Sequence, residues 1–376
     1  MKAMRMILAV SLVWLGTFSV AAARQLIYVA NQSGKVIDTY AIDGGSGKLT
    51  KQASTAVPGN PGPLVFSADK RFMYVALQVR AGRKTTSAIA TLRKDADGGL
   101  KLLKSVVAPY RAPYIAVDAT TSVLLAAHYG PGRVTVQRIK KGIVTAEVTD
   151  DVVTEVTAHC IETSPDNRFA FVPHTRPNKL YQFKLDVENG KLIANDPIAV
   201  AGPVTDKLYH APRHYIQHPD LDVAYTSNEA GGGISVWDYN QQQGTHRRVQ
   251  TLSALEPPYE GRTAAADVHV TPNGKFVYVS VRHLTPKGFT GATKSSLAAY
   301  LIDQKTGRVN RVGNYWAPQV PRTFDVDQTG KFVYAGGQRD NLLVAYRINQ
   351  ETGALKQIAK YDVGGSVIWV ECLLLD

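Results

Sequence analysis

The segment Val268-His-Val-Thr-Pro-Asn-Gly-Lys-Phe-Val-Tyr-Val279 decides the fold, because its pattern recurs along the chain. It predicts a strand, a tight turn at Pro-Asn-Gly, and a second strand rich in aromatic and β-branched residues. Clear copies begin at Leu64, Ile161 and Phe324, and weaker copies begin at Ile115 and Tyr215. Successive turns are roughly 46 to 56 residues apart, a period typical of β-propeller blades.

Two further strand patterns follow each copy. After the copy at Phe324, residues 341–349 alternate in polarity, Gln350-Glu-Thr-Gly353 predicts a turn, and residues 354–361 return. Similar turns occupy residues 43–48, 187–191 and 303–308. Four antiparallel strands per repeat make one blade. No stretch carries a long helical period, which disfavours folds that alternate strands with helices.

The two ends of the chain carry incomplete repeats. Residues 25–57 contain outer strands without the leading phrase, and Val367-Ile-Trp-Val-Glu-Cys-Leu373 is a leading strand with nothing after it. Joined, they complete a seventh blade and remove exposed sheet edges. The sequence therefore predicts an all-β fold, a seven-bladed β-propeller of four-stranded antiparallel blades, as one domain over residues 24–376.

Residues 1–23 predict a secretory signal peptide. Lys2 and Arg5 form a positive n-region, residues 7–20 are apolar, and Ala21-Ala-Ala23 supplies a small-residue cleavage site. The apolar run is too short for a spanning helix. We therefore expect a periplasmic or secreted protein with no membrane association after cleavage. A disulfide between Cys160 and Cys372 is permitted there, but two buried, unpaired thiols are the favoured interpretation.

The chain is basic, with a formal charge of +12 that falls to +10 when Lys2 and Arg5 leave with the signal. Its basic residues are scattered, so we expect no nucleic-acid partner. Some attraction for small anions is the remaining inference. The sequence has no HExxH, no CxxC pair, no acidic calcium loop and no glycine-rich phosphate loop after a strand. We therefore predict no metal and no cofactor, and we expect a monomer.

Polar residues should converge on one mouth of the central channel. The loop entering each inner strand and the loop leaving the second strand open on the same face, because the strands are antiparallel. The entering positions hold Arg111, His159, Arg213, His214, Asp267 and Arg322, with His269 further along its strand. The leaving positions hold His128, Tyr129, His174, Asn228, Glu229, Arg282, His283, Gln338 and Arg339. Several arginines around one or two acids suit an anionic substrate, because guanidinium groups pair bidentately with carboxylate or phosphate.

Other polar residues have simpler interpretations. His218 and His246 fall in outer turns, where we expect them to face solvent. Asp69, Asp166 and Asn273 lie in hairpin turns, where such side chains cap their own backbone.

Four segments around these mouth residues carry a family resemblance. They are Ala158-His-Cys-Ile-Glu-Thr-Ser-Pro-Asp-Asn-Arg168, Ala211-Pro-Arg-His-Tyr-Ile-Gln-His-Pro219 with Ser227-Asn-Glu229, Ala265-Ala-Asp-Val-His-Val-Thr-Pro-Asn-Gly274, and Pro321-Arg-Thr-Phe-Asp-Val-Asp327. The chain resembles the propeller-type lactonase family of bacterial 6-phosphogluconolactonases and fungal 3-carboxymuconate cyclases, over nearly the whole mature length. Pro-Arg-His followed by Asn-Glu is the most specific element. The departures are Ala211 in place of the family's Gly and an insertion at residues 284–296.

The resemblance implies a metal-free site in which His159, Arg213 and Glu229 act on a lactone or its hydroxy acid. We therefore predict hydrolysis of a small anionic lactone. Glu229 or His159 would activate water as general base, and Arg213 would stabilise the oxyanion. The predicted substrate contacts are Arg282, Arg322, His214, Asp267, His269, His174 and Gln338.

Two alternatives stay open at this point. The same groups could transfer protons in a cycloisomerase or lyase that acts on a muconate-like dicarboxylate. The chain could instead be a non-catalytic periplasmic propeller that binds an anion or a protein partner, because a fold does not define a function. A lactone-opening assay separates the enzyme hypotheses from the binding hypothesis.

Overall fold

The computed structural model describes residues 24–202, 210–256, 262–284 and 294–375. These ranges contain 28 strands in seven four-stranded antiparallel sheets. Over the same ranges, no helix is long and apolar enough to cross a membrane. The predicted signal peptide lies outside the described residues, as does most of the predicted insertion at residues 284–296.

Each sheet is one blade, and its strands follow one another from the channel outward. Blade 1 contains β1 (Gln25–Asn31), β2 (Val36–Ile42) and β3 (Leu49–Ala56), with β28 (Val367–Leu374) as its inner strand. Blade 2 is β4 (Asn60–Phe66), β5 (Phe72–Ala81), β6 (Lys84–Lys94) and β7 (Leu100–Ala108). Blade 3 is β8 (Tyr114–Val117), β9 (Val123–His128), β10 (Arg133–Lys140) and β11 (Ile143–Val153). Blade 4 is β12 (Glu162–Thr163), β13 (Phe169–His174), β14 (Lys179–Asp186) and β15 (Lys191–Ala201).

The remaining three blades repeat this order. Blade 5 is β16 (Pro212–Gln217), β17 (Val223–Asn228), β18 (Gly233–Asn240) and β19 (Thr245–Ser253). Blade 6 is β20 (Thr263–Val270), β21 (Phe276–His283), β22 (Ser296–Ile302) and β23 (Val309–Trp316). Blade 7 is β24 (Pro321–Val326), β25 (Phe332–Gly337), β26 (Leu342–Ile348) and β27 (Leu355–Asp362). The seven-bladed ring predicted from the repeat is confirmed.

The two ends of the chain meet in blade 1, as predicted. β28 pairs antiparallel with β1, from Gln25 opposite Leu374 to Asn31 opposite Val367. β28 also packs against β24 and β4, the inner strands of the two neighbouring blades. Pairing of the two terminal segments therefore closes the ring without a covalent link.

Burial follows position within the blade. Every residue of β1, β9, β13, β17 and β25 is buried, because a second strand lies between two strands and between two blades. Outer strands are less buried, and in β3 only the first residue, Leu49, is buried. The aromatic and β-branched second half of the repeated phrase therefore forms the core between blades.

A tyrosine on the second strand links its blade to the next blade. The Tyr278 hydroxyl donates to the carbonyl oxygen of Gly353, in the outer turn of blade 7, at 2.9 Å. Equivalent bonds of 2.8 to 2.9 Å are made by Tyr28, Tyr74, Tyr225 and Tyr334. Gly353 has a φ of 75°, and a Cβ there would lie 2.5 Å from the Phe276 ring. Glycine is therefore required there by both backbone conformation and close approach.

These contacts between blades overturn one expectation. His218 and His246 do not face solvent, because their exposed fractions are 4% and 6%. His218 Nε2 lies 2.9 Å from the carbonyl oxygen of Gly274, and His246 Nε2 lies 2.9 Å from the Tyr215 hydroxyl. The prediction was wrong because both residues pack between blades. His218 lies in the turn that joins β16 to β17 and contacts blade 6, and His246 lies in β19, where its backbone amide donates to Gln182 Oε1 of blade 4.

Two smaller expectations are confirmed. Asp69, Asp166 and Asn273 each accept a hydrogen bond from the backbone amide two residues further on, at 3.1 to 3.2 Å. Cys160 and Cys372 are both buried and unpaired.

Candidate active site

β-Bulges place charged residues at the channel mouth. In blades 5, 6 and 7 the register between the inner and second strands shifts near the end that faces this mouth. The residues within these shifts are Arg213 and His214 in β16, Ala266 and Asp267 in β20, and Arg322 in β24. A bulge bends its strand and redirects side chains and backbone groups away from the ladder. Three blades thereby deliver charged groups to one place.

Arg213 has no exposed surface at all. Its Nη1 donates to the carbonyl oxygen of Ala266, within the β20 bulge, at 2.7 Å. Its Nε lies 3.7 Å from Glu229 Oε1. Among the described residues, Nε and Nη2 have no hydrogen-bond partner. Unused donors on a buried guanidinium are costly, so this position suits a ligand oxygen.

Glu229 follows β17 and lies beside the same guanidinium, as predicted. Arg282 Nη2 donates to Glu229 Oε1 at 2.8 Å and to the Ala265 carbonyl oxygen at 2.9 Å. Arg282 Nε donates to the Ala264 carbonyl oxygen at 3.3 Å. Burial acts to raise the pKa of Glu229, but Arg213 and Arg282 outweigh it and lower that pKa. Glu229 is therefore ionised at neutral pH.

Arg322 and Arg111 add further positive charge to the mouth. Together with Tyr110 and Trp369 they line a narrow recess beside the channel. Burial and the nearby Arg282 lower the pKa of Arg322 to about 10. Arg322 therefore remains protonated at neutral pH, and the mouth carries more positive than negative charge.

His159 lies beside His214 and close to Arg213, and it is 4% exposed. Its ring centroid is 5.5 Å from that of Tyr129 and 5.2 Å from that of His214. In the part of the chain that the structure describes, its Nδ1 has no hydrogen-bond partner. Burial and the charge of Arg213 hold its pKa well below the usual value. His159 is therefore a neutral imidazole that can accept a hydrogen bond from substrate or water.

Three predicted substrate contacts form a chain deeper in the channel. His214 Nδ1 lies 2.6 Å from Asp267 Oδ1, and His269 Nε2 lies 3.4 Å from the same oxygen. His269 Nδ1 lies 3.2 Å from Asp325 Oδ1. Burial lowers the pKa of His214 to about 4, whereas Asp267 overcomes burial and raises the pKa of His269 to about 9. These side chains bind one another, and their contact with substrate stays a prediction.

Among the described residues, His174 and Gln338 line neither the recess at Arg322 nor the cleft beside Glu229. His174 is fully buried, with Nδ1 3.2 Å from the Val156 carbonyl oxygen and its ring 4.6 Å from that of Tyr181. Gln338 follows β25, and its carbonyl oxygen accepts a bond from Ser366 Oγ at 3.0 Å. A substrate contact by either residue also stays a prediction.

An open cleft of about 710 Å³ lies beside Glu229. Arg176 and Arg262 contribute to its lining, and sequence reasoning named neither, because they lie outside the repeated phrase. Sequence reasoning also missed Glu162 and Asp325 in the channel. A signal was available for these two, since they hold the second position of the phrase, where several copies have an apolar residue.

The described residues form a closed β-propeller of seven blades, and several arginines surround one carboxylate at a mouth of its channel. The sequence profile of the family described as "Lactonase, 7-bladed beta-propeller" matches residues 13–372. The chain belongs to this lactonase family, and it is an enzyme of the lactonase class.

Solved structures of low sequence identity share the fold. The periplasmic gluconolactonase of Pseudomonas aeruginosa superposes with a TM-score of 0.82 at 22% identity, over 94% of this chain and 100% of that chain. A candidate 6-phosphogluconolactonase of Bacteroides fragilis NCTC 9343 gives 0.81 at 21% identity, over 94% and 99%. Another from Bacteroides uniformis ATCC 8492 gives 0.80 at 23% identity, over 93% and 100%. At these identities the likeness establishes the fold alone.

Proposed function

We propose that the protein hydrolyses a small lactone bearing a carboxylate or phosphate group and releases the hydroxy acid. The observation that carries the proposal is Arg213, a fully buried guanidinium whose Nε and Nη2 lack partners among the described residues. A lactone carbonyl oxygen placed there would meet two donors. Their hydrogen bonds would strengthen as this oxygen gains negative charge in the transition state.

Glu229 is the proposed general base. Its side chain is 26% exposed and borders the open cleft, so water can reach an ionised carboxylate. In the proposed step, Glu229 takes a proton from water while the water oxygen attacks the carbonyl carbon. The ring C–O bond then breaks, and the departing ring oxygen takes up that proton to become the hydroxyl group. His159, a neutral imidazole in the same cluster, is the second candidate for the base.

The other arginines divide into two proposed roles. Arg322, with Arg111 beside it, would bind the anionic tail of the substrate. Arg282 donates to Glu229 and to two backbone carbonyl groups, so it would hold the base in place as well as attract the tail. Guanidinium groups on several sides repel a metal cation, which supports a metal-independent reaction at this mouth.

We also propose that the mature protein works in the periplasm. The charged, apolar and small-residue pattern of residues 1–23 supports export. The structurally similar Pseudomonas aeruginosa protein is a periplasmic gluconolactonase.

A pH-stat assay of ring opening tests the proposal. Three substrates of similar ring size are compared: a phosphorylated sugar lactone, a carboxylated lactone and a neutral lactone. We expect kcat/KM for an anionic lactone to exceed that for the neutral lactone by about tenfold or more, the value of a charge-assisted pairing. Arg322→Lys should reduce this preference, whereas Arg247→Lys, at an outer arginine that is 77% exposed, should not.

The same assay separates the alternatives. Ring closure of an unsaturated dicarboxylate without hydrolysis of any lactone would identify a cycloisomerase. Saturable binding of lactones or hydroxy acids without turnover would identify a binding protein.

A further inference from the structure

A separate cavity of about 490 Å³ lies deeper in the channel. We call it the lower channel, and its lining includes Glu162, His269, Asp325 and Glu371. It lies below the arginine mouth, and its lining extends to the turns that join inner strands to second strands. Those turn residues include Ser164, Pro165 and Gln328. Because these turns are at the opposite ends of the inner strands from the mouth, the cavity opens toward the other face of the ring.

The two glutamates of the lower channel form no ion pair with a lysine or arginine of the described residues. The Tyr114 hydroxyl donates to Glu162, and Trp369 Nε1 donates to Glu371 Oε2 at 3.2 Å. His269 is the cationic neighbour of both glutamates. Burial raises the pKa of Glu162 to about 7 and that of Glu371 to about 8. One histidine therefore faces several carboxyl groups.

His214 supplies an independent observation. It lines the same cavity, it is 3% exposed, and its Nε2 has no hydrogen-bond partner in the described part of the chain. Its Nδ1 is 2.6 Å from ionised Asp267, so Nδ1 carries the proton and Nε2 carries a lone pair. The ring is 5.0 Å from that of Tyr114 and 6.0 Å from that of Trp369. A buried acceptor thus lies beside the acidic cluster without a donor.

These groups together select one class of ligand. The cavity offers carboxylate oxygens and an imidazole lone pair, whereas the Tyr114, Trp369 and His269 donors are already used. An ammonium group supplies three donors and a positive charge, and aromatic rings attract such a cation. Among the described residues no three His, Cys, Asp or Glu side chains are placed to hold one metal ion, although the cavity admits a small molecule.

We propose that the lower channel binds a small organic cation with at least one primary ammonium group, on the face opposite the arginine mouth. This proposal goes beyond lactone hydrolysis and does not depend on it. The two ends of the channel would then bind ligands of opposite charge.

Calorimetric titration of the mature protein with 1,4-diaminobutane tests the proposal. We expect one saturable site at about pH 7, where ammonium binding lowers the pKa of Glu162 and Glu371 and releases protons. The measured heat should therefore depend on the ionisation enthalpy of the buffer. Glu162→Gln and Glu371→Gln should each weaken binding by about tenfold or more, the value of a charged hydrogen bond. Glu147→Gln, at an exposed acid in the outer strand β11, is the control and should bind as the wild type does.

Three results would overturn the proposal, and a fourth applies if the glutamine variants do not fold. The first is no saturable binding to the wild type up to about 10 mM, which lies above the range of a specific ligand. The second is equal displacement by MgCl₂ or NaCl at matched ionic strength, which would indicate charge screening. The third is wild-type affinity in both folded glutamine variants. If these variants do not fold, proton release by the wild type decides, because binding without it contradicts contact with the two glutamates.

Discussion

Replacing Glu229 by glutamine tests the proposed base with the least change of shape. Glutamine keeps an oxygen that can accept the 2.8 Å bond from Arg282 Nη2, but it cannot take a proton from water at neutral pH. General-base catalysis contributes about 10² to 10⁴-fold to a rate. We expect kcat for the Glu229→Gln variant to fall by about 10²-fold, which equals about 2.7 kcal/mol.

The same substitution removes the negative charge from between two buried arginines. Arg213 Nε is 3.7 Å and Arg282 Nη2 is 2.8 Å from Glu229 Oε1. At an effective dielectric constant of about 20, a charge pair about 4 Å apart interacts by about 4 kcal/mol. Glu229 is 26% exposed, and glutamine keeps one hydrogen bond, so we expect a net loss of stability of about 2 kcal/mol. The variant should melt a few degrees lower and remain folded at room temperature.

Turnover is measured by pH-stat at saturating lactone, with spontaneous ring opening subtracted, and stability by thermal unfolding of the same samples. Glu155→Gln is the matched control, because Glu155 also pairs with a basic side chain, Lys179, at 2.9 Å, and should leave kcat unchanged. Wild-type kcat in Glu229→Gln, combined with reduced stability, would refute the base assignment and leave a structural ion pair. Arg213→Lys keeps the positive charge but loses the bidentate guanidinium donor, so the kcat of this variant should also fall.

Four further outcomes are expected. Protein purified from a periplasmic fraction should begin near Arg24 by intact mass, and a retained N-terminus in the membrane would contradict export. Deleting residues 364–376 should open the ring and cost several kcal/mol, because a buried inner strand is lost; an unchanged melting temperature would count against closure in blade 1. The raised pKa of His269, about 9, means that its stabilisation is complete below about pH 6.5 and is lost as pH rises through 9. The difference in urea-unfolding free energy between wild type and His269→Asn should therefore shrink between about pH 6 and pH 10, and a constant difference would contradict this. Gly353→Ala should cost about 3 kcal/mol, from its φ of 75° and the 2.5 Å approach to a neighbouring ring. Gly364→Ala, where φ is 69° and no atom lies within 4 Å, should cost about 1 kcal/mol in the same thermal unfolding assay, and equal costs would refute the packing argument.

The sequence by itself determined the architecture and the position of the candidate site at one mouth of the channel. A repeated strand-turn-strand phrase appears as local patterns of period two and turn chemistry, which a single chain displays directly. The incomplete repeats at the two ends predicted closure in one blade, and the pairing of β28 with β1 confirms it. Antiparallel geometry alone assigned Arg213 and Glu229 to one mouth, and the structure places Arg213 Nε 3.7 Å from Glu229 Oε1.

Only the tertiary structure decided which contacts these residues make and which side chains are buried. A bulge depends on the pairing of two strands, so no local pattern shows that Arg213 would reach the Ala266 carbonyl in the next blade. Packing between blades buried His218 and His246, although the sequence pattern predicted solvent-exposed outer turns for both. The acidic lower channel likewise exists only after ring closure, because its side chains come from strands of different blades. Their contacts depend on distances across the channel, which are long-range quantities that period, composition and turn chemistry do not contain.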